Sequence, residues 1–431
     1  MNSAFDGASL WGGVSAFLRL MLGPITLLLV AYKLTPAEMG FYFQFFSLYA
    51  FQQVFEGGVG FLLLRYCSRL KASGVEDVRN NLELIEKINF SLVWYRIISI
   101  ILILALGFSG FYIFIGDQFQ STVSWEVPWV IYIVFSCLTL GLYPYSILNE
   151  VFYSAAEVYK KRAFVNLAQF VVISLSLLLD MKLFALSLSA IFVFILSRFL
   201  YYNSGLLILK RFASVSLKFS NVFRVYFVEN WKLILVWVTG YFYWFSLPLL
   251  IFVMEGSKVS GAFSFTNSIV LAISTLASMM VIAKAAFFSE RLSSGCFLQA
   301  IDVFRKSNFW SIVLYLPTFI LIFIIDFSDI SLLKGKIVEG SVLFFLALNQ
   351  LCVLVFSNLA FFCRLKEGDP FFWVSMCSNI LTPVVLLIFS STADGVLVLI
   401  VTSLILNLFY LIYGYLIYKG FVKDLIIGDG F

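Results

Sequence analysis

Residues 31–60 read AYKLTPAEMGFYFQFFSLYAFQQVFEGGVG. Most of this stretch is apolar and aromatic, as a segment immersed in lipid has to be. Yet it carries Gln44, Gln52, Gln53 and Glu56, and then the glycines Gly57, Gly58 and Gly60. Gln52 and Glu56 are four residues apart, so on a helix they share a face, with Gln53 beside them. A polar stripe on an apolar span turns toward protein or water, not toward lipid. Glycines next to it let a neighbouring helix come close. Glu56 then has two readings: a cavity-lining group and site of protonation, or a structural group that holds spans together through an ion pair with Arg65 or another arginine, or through hydrogen bonds.

The composition extends this picture to the whole chain. Of 431 residues, 62% are hydrophobic and only 12% charged, and the mean hydropathy is +1.00. An ordinary soluble domain carries about a quarter charged residues. No soluble core could hide so much apolar surface, so the chain reads as an all-α polytopic membrane protein. It has no histidine, which excludes a histidine proton relay or a histidine zinc site. Cys67, Cys137, Cys296, Cys352, Cys363 and Cys377 share no metal-like spacing and read as packing residues. The start, MNSAFDGASLW, lacks a basic region and a short apolar stretch with a cleavage site, and reads as a short tail.

A crossing helix needs about 20 mostly apolar residues. About 12 stretches qualify: 10–32, 39–64, 90–116, 127–148, 163–180, 184–205, 231–253, 261–283, 307–327, 340–362, 370–390 and 396–417. The fifth is short and ends at DMK, which predicts a tight hairpin with the sixth. Lysine and arginine crowd the segments after even-numbered spans. The other side carries only Lys33, Lys182, Lys258, Lys334 and Lys336. The positive-inside rule therefore places both termini in the cytoplasm.

The two halves echo one another weakly. EMGFYF (38–43) resembles VSGAFSF (259–265), SRLKASG (68–74) resembles ERLSSG (290–295), and KINF (87–90) resembles KSNF (306–309), all in order and at nearly constant offset. Pro24 and Pro248 fall at matching places. Six spans per repeat is an even number, so the halves share orientation, related by a pseudo-twofold axis along the membrane normal. The expectation is two six-helix lobes, 1–215 and 216–431, around a central cavity.

Arg19, Arg96 and Arg198 lie inside spans, each about 9–13 Å from the cytoplasmic end at 1.5 Å per residue. An arginine at a helix centre costs roughly 2.5–3.5 kcal/mol on insertion scales. Each could snorkel to the headgroups. Three at similar depth in one lobe could instead form an anion trap, because guanidinium pairs well with phosphate. Lys284, at the end of the eighth span, is the C-terminal cation best placed to join them, or else an ordinary helix-end anchor. Mid-span amides at Asn267, Asn349, Gln350, Asn358, Asn379 and Asn407 read first as helix–helix hydrogen bonding. Prolines at 24, 144, 248, 317 and 383 predict kinks. There is no phosphate-binding P-loop, no histidine-based triad and no ligand cluster, so no enzyme is expected.

The stretch GPITLLLVAYKLTPAEMGFYFQFFSL (23–48) resembles the first hairpin of the O-antigen flippases, the Wzx-type polysaccharide-transporter family. Its members show a proline in the first span, an L-x-x-x-E-x-G-x-Y turn, an acidic residue with glycines, and a basic residue closing the second span. Here those positions are Pro24, Leu34, Glu38, Gly40, Tyr42, Glu56, Gly57, Gly60 and Arg65. The specific match covers roughly the first 70 residues. The doubled glycine at 57–58 and the Phe-rich setting depart from the pattern.

The resemblance implies the multidrug/oligosaccharidyl-lipid/polysaccharide exporter fold and a place in the bacterial inner membrane. It implies an undecaprenyl-diphosphate-linked oligosaccharide as substrate, handled in a cationic cavity, with coupling to an ion gradient. On that reading Arg19, Arg96, Arg198 and Lys284 hold diphosphate or sugar. Gln52 and Glu56 form the polar or ion-coupling site for H+ or Na+. The partners are the lipid bilayer, a polysaccharide polymerase and a chain-length regulator; no cofactor and no nucleic acid are expected. A drug–cation antiporter of the same superfamily is the alternative, though three intramembrane arginines against one clear glutamate argue against it. The GxxxDRxGRR-like loop of sugar facilitators is absent from RYCSRLKASG (65–74). A membrane-embedded polymerase or ligase would carry a long external loop with arginines, and the external loops here are short and have none.

Overall fold

The structure is a computed structural model, and it describes residues 7–72, 82–118, 123–209, 219–320, 335–338, 340–366, 369–392 and 395–428. Among them the only regular structure is helical. Among the described residues, eight helices are long and apolar enough to cross a membrane. Their outer surfaces explain why. Along α5 (Leu82–Gln118), Ile100, Leu104, Phe108 and Tyr112 stand one helical step apart and are 59–86% exposed. Such a stripe is stable only in contact with lipid. The chain is an all-α, multi-pass membrane protein.

One helix holds two of the expected spans. α10 (Phe219–Ile282) runs for 64 residues. Straight, it would measure about 96 Å, against a hydrocarbon core of about 30 Å. It does not run straight: Gly256 has φ +81°, and Ser260 Oγ lies 3.5 Å from the carbonyl of Pro248. Twelve residues of unbroken helix would separate these groups by about 18 Å. The chain therefore reverses around Gly256, and the predicted spans 231–253 and 261–283 form a hairpin.

The second span differs from expectation. It was expected as one helix over 39–64, but it is broken into α2 (Pro36–Tyr49), α3 (Gln52–Glu56) and α4 (Val59–Ala72). The physical cause lies in its glycines, Gly57 and Gly58, which stand at positive φ. The ninth expected span, 307–327, begins in α12 (Phe297–Tyr315), and its remainder from 321 lies outside the described residues.

The chain divides into two compact units, Met1–Tyr241 and Phe242–Phe431. The expected lobes met at 215/216. The start of the seventh span packs within the first unit: Tyr241 Oη donates to the Ser47 carbonyl at 3.2 Å, and the Tyr241 ring meets Phe51 edge-on at 5.0 Å. In this unit α6 (Glu126–Phe152) is the central helix. It packs against α4, α5, α7 (Ala155–Leu178) and α8 (Phe184–Ser197), while α1 (Gly7–Lys33) lies along α7. Buried rings fill one end: Phe41, Phe45, Phe114, Trp125 and Trp129, with Phe41 stacked on Trp125.

At that end two turns are tied together. Thr35 caps α2 in a reciprocal box with Glu38, whose Oε2 accepts from Thr35 N at 2.9 Å, and Pro36 takes the first helical position. The predicted hairpin at 179–183 is tight, with Asp180 and Lys182 both at positive φ. Lys182 Nζ reaches Glu38 Oε1 at 2.7 Å, and Lys33 Nζ reaches Asp180 Oδ1 at 2.8 Å. Glu38 precedes the predicted span. Burial pushes its carboxyl up, but the hydrogen bonds from Lys182 and Thr35 and the Lys182 charge outweigh this and hold it below the usual value. A carboxyl lowered by folding contributes stability above its unfolded value, and that contribution is lost as pH falls through the folded value. Lys182→Met should therefore lower the thermal midpoint of the solubilised protein at pH 7, with the difference vanishing below about pH 4, the ordinary carboxylate range. A difference independent of pH would show that the ion pair is not the source.

The second unit contains α11 (Ala285–Ser293), α12, α13 (Gly340–Arg364), α14 (Phe372–Thr392) and α15 (Val396–Gly428). α15 packs on α13 and α14. One apolar cluster gathers Ile251, Phe263, Tyr315, Ala347, Leu386 and Ile400; another gathers Phe288, Phe304, Phe362, Phe371 and Tyr418. Four of the mid-span amides, Asn349, Gln350, Asn358 and Asn407, act as helix–helix links. Asn407 Nδ2 donates to Asn349 Oδ1 at 2.9 Å, Asn358 Nδ2 to Asn308 Oδ1 at 2.9 Å, and Gln350 Nε2 to Ser274 Oγ at 3.2 Å. The six cysteines are free; Cys67, Cys137, Cys352 and Cys363 are buried, Cys296 is half-buried and Cys377 exposed.

Candidate functional site

The polar stripe of the opening stretch sits where the second span breaks. Gly57 caps α3 at φ +53° and Gly58 follows at φ +75°. Both angles lie in the left-handed region that glycine enters without steric cost. The break frees backbone groups, and the indole N–H of Trp94 donates to one of them, the Phe55 carbonyl, at 3.1 Å. Glu56 is thereby set at the end of a short helix, facing α5. Its Oε1 accepts from the Tyr95 hydroxyl at 2.6 Å. A side chain at Gly60 would place Cβ 2.6 Å from Tyr95 Oη, 2.8 Å from the Tyr143 ring and 2.9 Å from Glu56 Oε1. Gly60 is the space this pair occupies. The partner the geometry gives Glu56 is a phenol of another helix, a hydrogen bond between spans. Gln52 is half-buried on the same short helix, and its Oε1 is buried with no hydrogen-bond partner.

Arg96 follows Tyr95 directly. Successive helical residues point about 100° apart, so Tyr95 turns to Glu56 while Arg96 is exposed and turns to α6. Arg96 Nη2 donates to the Tyr145 hydroxyl at 2.7 Å. The Tyr145 ring lies 4.9 Å from the Tyr202 ring, and the Arg198 guanidinium lies over Tyr202 at 3.6 Å. Arg198 also donates to Asn203 Oδ1 at 3.1 Å and is exposed. Two of the three sequence-predicted arginines thus converge on one tyrosine pair, at least one stabilised by a cation–π contact.

The local backbone makes this convergence. After α8, residues Arg198–Tyr202 form a turn of π-helix before α9 (Asn203–Leu209). Such turns are rare and concentrate at functional positions. Side chains support it: Asn149 Nδ2 donates to the Tyr201 carbonyl at 3.0 Å and Lys161 Nζ to that of Leu200 at 3.3 Å. A Cβ at Gly205 would lie 2.9 Å from the Tyr145 side chain, so glycine there lets α9 close on α6.

The side chain of Arg19 lies outside the described residues. Lys284 is in the second unit, at the start of α11, where its Nζ donates to Ser307 Oγ at 2.7 Å. The sequence reading missed Tyr95, Tyr145 and Tyr202 as partners. One signal was available, since Arg198 and Tyr202 are four residues apart; Tyr145 offered none, because its role depends on helices far apart in sequence. In the structure Arg162 Nη2 pairs with Glu150 Oε2 at 2.7 Å, and Tyr159 Oη donates to Glu150 Oε1 at 3.0 Å.

No protein-family model and no curated protein sequence matches the chain. Solved structures do. An inward-facing multidrug resistance MATE family transporter of the MOP superfamily aligns over 96% of this chain and 98% of its own, with TM-score 0.64 and 12% identity. The lipid II flippase MurJ, in an inward closed conformation, aligns over 97% of this chain and 91% of its own, with TM-score 0.62 and 14% identity. The Vibrio cholerae MATE transporter VcmN aligns over 97% and 98%, with TM-score 0.54 and 12% identity.

The fold is that of the MATE transporters and of MurJ.

This is the exporter fold implied by the resemblance of residues 23–48. Identity this low carries architecture only.

Proposed function

We propose that the chain is a flippase that moves an undecaprenyl-diphosphate-linked oligosaccharide, an O-antigen or related surface-polysaccharide repeat unit, across the bacterial inner membrane by alternating access. The observation that carries this reading is the convergence of Arg96 and Arg198 on Tyr145 and Tyr202, with both guanidiniums exposed. Two cations held on one tyrosine pair suit a diphosphate, to which guanidinium donates bidentately. Arg19, at similar depth by sequence, adds a third cation; Lys284, in the second unit, is a separate candidate contact for phosphate or sugar. The lipid tail stays in the bilayer while the sugars enter the polar interior. Both termini are cytoplasmic, and the polymerase and chain-length regulator act on the delivered unit.

Glu56, held by Tyr95, is the site at which a proton or sodium ion resets the cycle. Glu56→Gln keeps an oxygen to accept from Tyr95 but removes the charge. The variant should fold and lose the response of transport to an imposed proton or sodium gradient in proteoliposomes. An unchanged response would remove Glu56 from coupling.

A second reading is a drug–cation antiporter. The half-buried carboxylate of Glu56 and the likeness to MATE transporters favour it. Deleting the gene in its native host separates the readings. The flippase reading expects loss of long-chain surface polysaccharide, with complete units accumulating on undecaprenyl diphosphate in the cytoplasmic leaflet. Unchanged polysaccharide with new sensitivity to cationic drugs would establish the antiporter. Units accumulated in the outer leaflet would point to a polymerase.

A further inference from the structure

The short helix that carries Glu56 is gripped from two sides. On one side stands α5: Trp94 donates to the Phe55 carbonyl and Tyr95 to Glu56. On the other stands the first part of α10. After the C-terminal end of α3, a Cβ on Gly57 would lie 3.4 Å from Ile234 Cγ2, so glycine lets α10 come up against the break. Before its N-terminal end, the Tyr241 ring meets Phe51 at 5.0 Å, and Tyr241 Oη donates to the Ser47 carbonyl at 3.2 Å. Ile234 and Tyr241 are both buried. They are seven residues apart, two turns, so they share one face of α10 about 10.5 Å apart. Residues 51 to 57 cover about 9 Å if helical. α10 therefore runs antiparallel to α3 and spans it from break to break. The two grips also touch, since the Trp94 ring meets Phe227 of α10 edge-on at 6.4 Å.

The break before α3 is a hinge by its backbone. Phe51 N–H donates to the Leu48 carbonyl at 3.1 Å, Gln53 N–H to Ala50 at 3.0 Å and Val54 N–H to Phe51 at 3.0 Å, each three residues back in place of four. Such tightened turns inside a helix often mark hinges. The α-helical partner of the Phe51 N–H would be the Ser47 carbonyl, and that is the group the Tyr241 hydroxyl takes. A five-residue helix has no stability of its own, so α3 sits where α5 and α10 hold it. The α5 grip depends on the charge of Glu56, because a carboxylate accepts from a phenol more strongly than a neutral group does. The α10 grip does not. Loading Glu56 with a proton or sodium ion thus loosens one side only. The residue after Tyr241 begins the second unit, so the other grip is on the chain segment that joins the units.

We propose that Tyr241 is the positioning residue through which ion loading at Glu56 reaches α10: its hydroxyl holds the hinge at 47–51 in the arrangement where Glu56 meets Tyr95, and its release frees α10 to move. This rests on the reading of Glu56 as the coupling site and is independent of the cargo.

The test is double electron–electron resonance on the full chain in nanodiscs. Spin labels are placed at Tyr153→Cys and Ser293→Cys, one in each unit, with the six native cysteines replaced by alanine. Distances are followed over a pH series and, separately, a sodium series. The wild-type distribution should shift with one of the two ions, and Glu56→Gln should hold the ion-loaded distribution throughout. Tyr241→Phe keeps the ring on Phe51 and loses the donation to Ser47. It weakens the unloaded arrangement, so its shift should come at an ion concentration about threefold or more lower, the loss of one hydrogen bond. Adding Tyr241→Phe to Glu56→Gln should change nothing further. If Tyr241→Phe does not fold, Ile234→Ala, which loosens the grip at Gly57, decides in the same sense. A wild-type midpoint in Tyr241→Phe, or only a lower thermal midpoint with the ion response unmoved, would overturn the proposal and leave Glu56 as the coupling site. A wild type that shifts with neither ion, or a Glu56→Gln that shifts as wild type does, would remove Glu56 from coupling and the proposal with it.

Discussion

If the chain is the proposed flippase, Arg96→Ala and Arg198→Ala, each alone, will cut delivery of lipid-linked units by roughly tenfold or more, at normal protein level. The expectation comes from the contacts. A hydrogen bond to a charged group contributes about 1.5–3 kcal/mol, and about 1.4 kcal/mol is tenfold. Arg96 is held by the Tyr145 hydroxyl and Arg198 by the Tyr202 face, so neither guanidinium has to be ordered to receive the proposed diphosphate. Arg198→Lys should recover only part of the activity, because an ammonium keeps the charge and loses the planar stacking and the two-pronged donation. Tyr145→Phe should behave as a weaker version of Arg96→Ala. The measurement is surface polysaccharide on gels together with the leaflet distribution of lipid-linked units. Full transport in Arg96→Ala at wild-type abundance would sink the anion trap.

Gly60→Ala will destabilise the first unit by about 1–3 kcal/mol, the usual cost of forcing extra atoms into a packed site. The added carbon would stand 2.6 Å from Tyr95 Oη and 2.9 Å from Glu56 Oε1, the two atoms that form the central hydrogen bond of the broken span. Either the pair separates or the break in the second span reshapes. A lower thermal midpoint in detergent, with a gradient response lost as in Glu56→Gln, is the expected signature. A midpoint equal to wild type would mean the helices part there at no cost. Gly57→Ala is the control of different origin: its Cβ would meet only Ile234 Cγ2 and Cγ1, at 3.4 and 3.9 Å, so any loss comes from the left-handed backbone.

The sequence by itself determined that this chain lives in a membrane, and nearly where each helix lies. That follows from physics that acts locally: about 20 apolar residues satisfy the bilayer whatever the neighbours do. It marked Gly256 no more than any other residue, yet the two apolar runs around it required a reversal, and the left-handed glycine supplies it. It also marked Arg96, Arg198 and Glu56 as misfits, because an ionisable side chain in lipid is expensive wherever it sits. Partners were decided by the tertiary structure alone. Tyr95 donates to Glu56, and Tyr145 receives Arg96, because α3, α5 and α6 come together, and residues 39 and 49 positions apart in the chain then share a hydrogen bond. The break of the second span was legible only as an excess of glycine. What the excess does, two positive φ angles and one space for a hydrogen bond, depends on Tyr95 and Tyr143 arriving from other helices. The π-turn was invisible for the same reason: residues 198–202 carry no local signal for it, and its carbonyls are satisfied by Asn149 and Lys161 from helices that only the fold brings near.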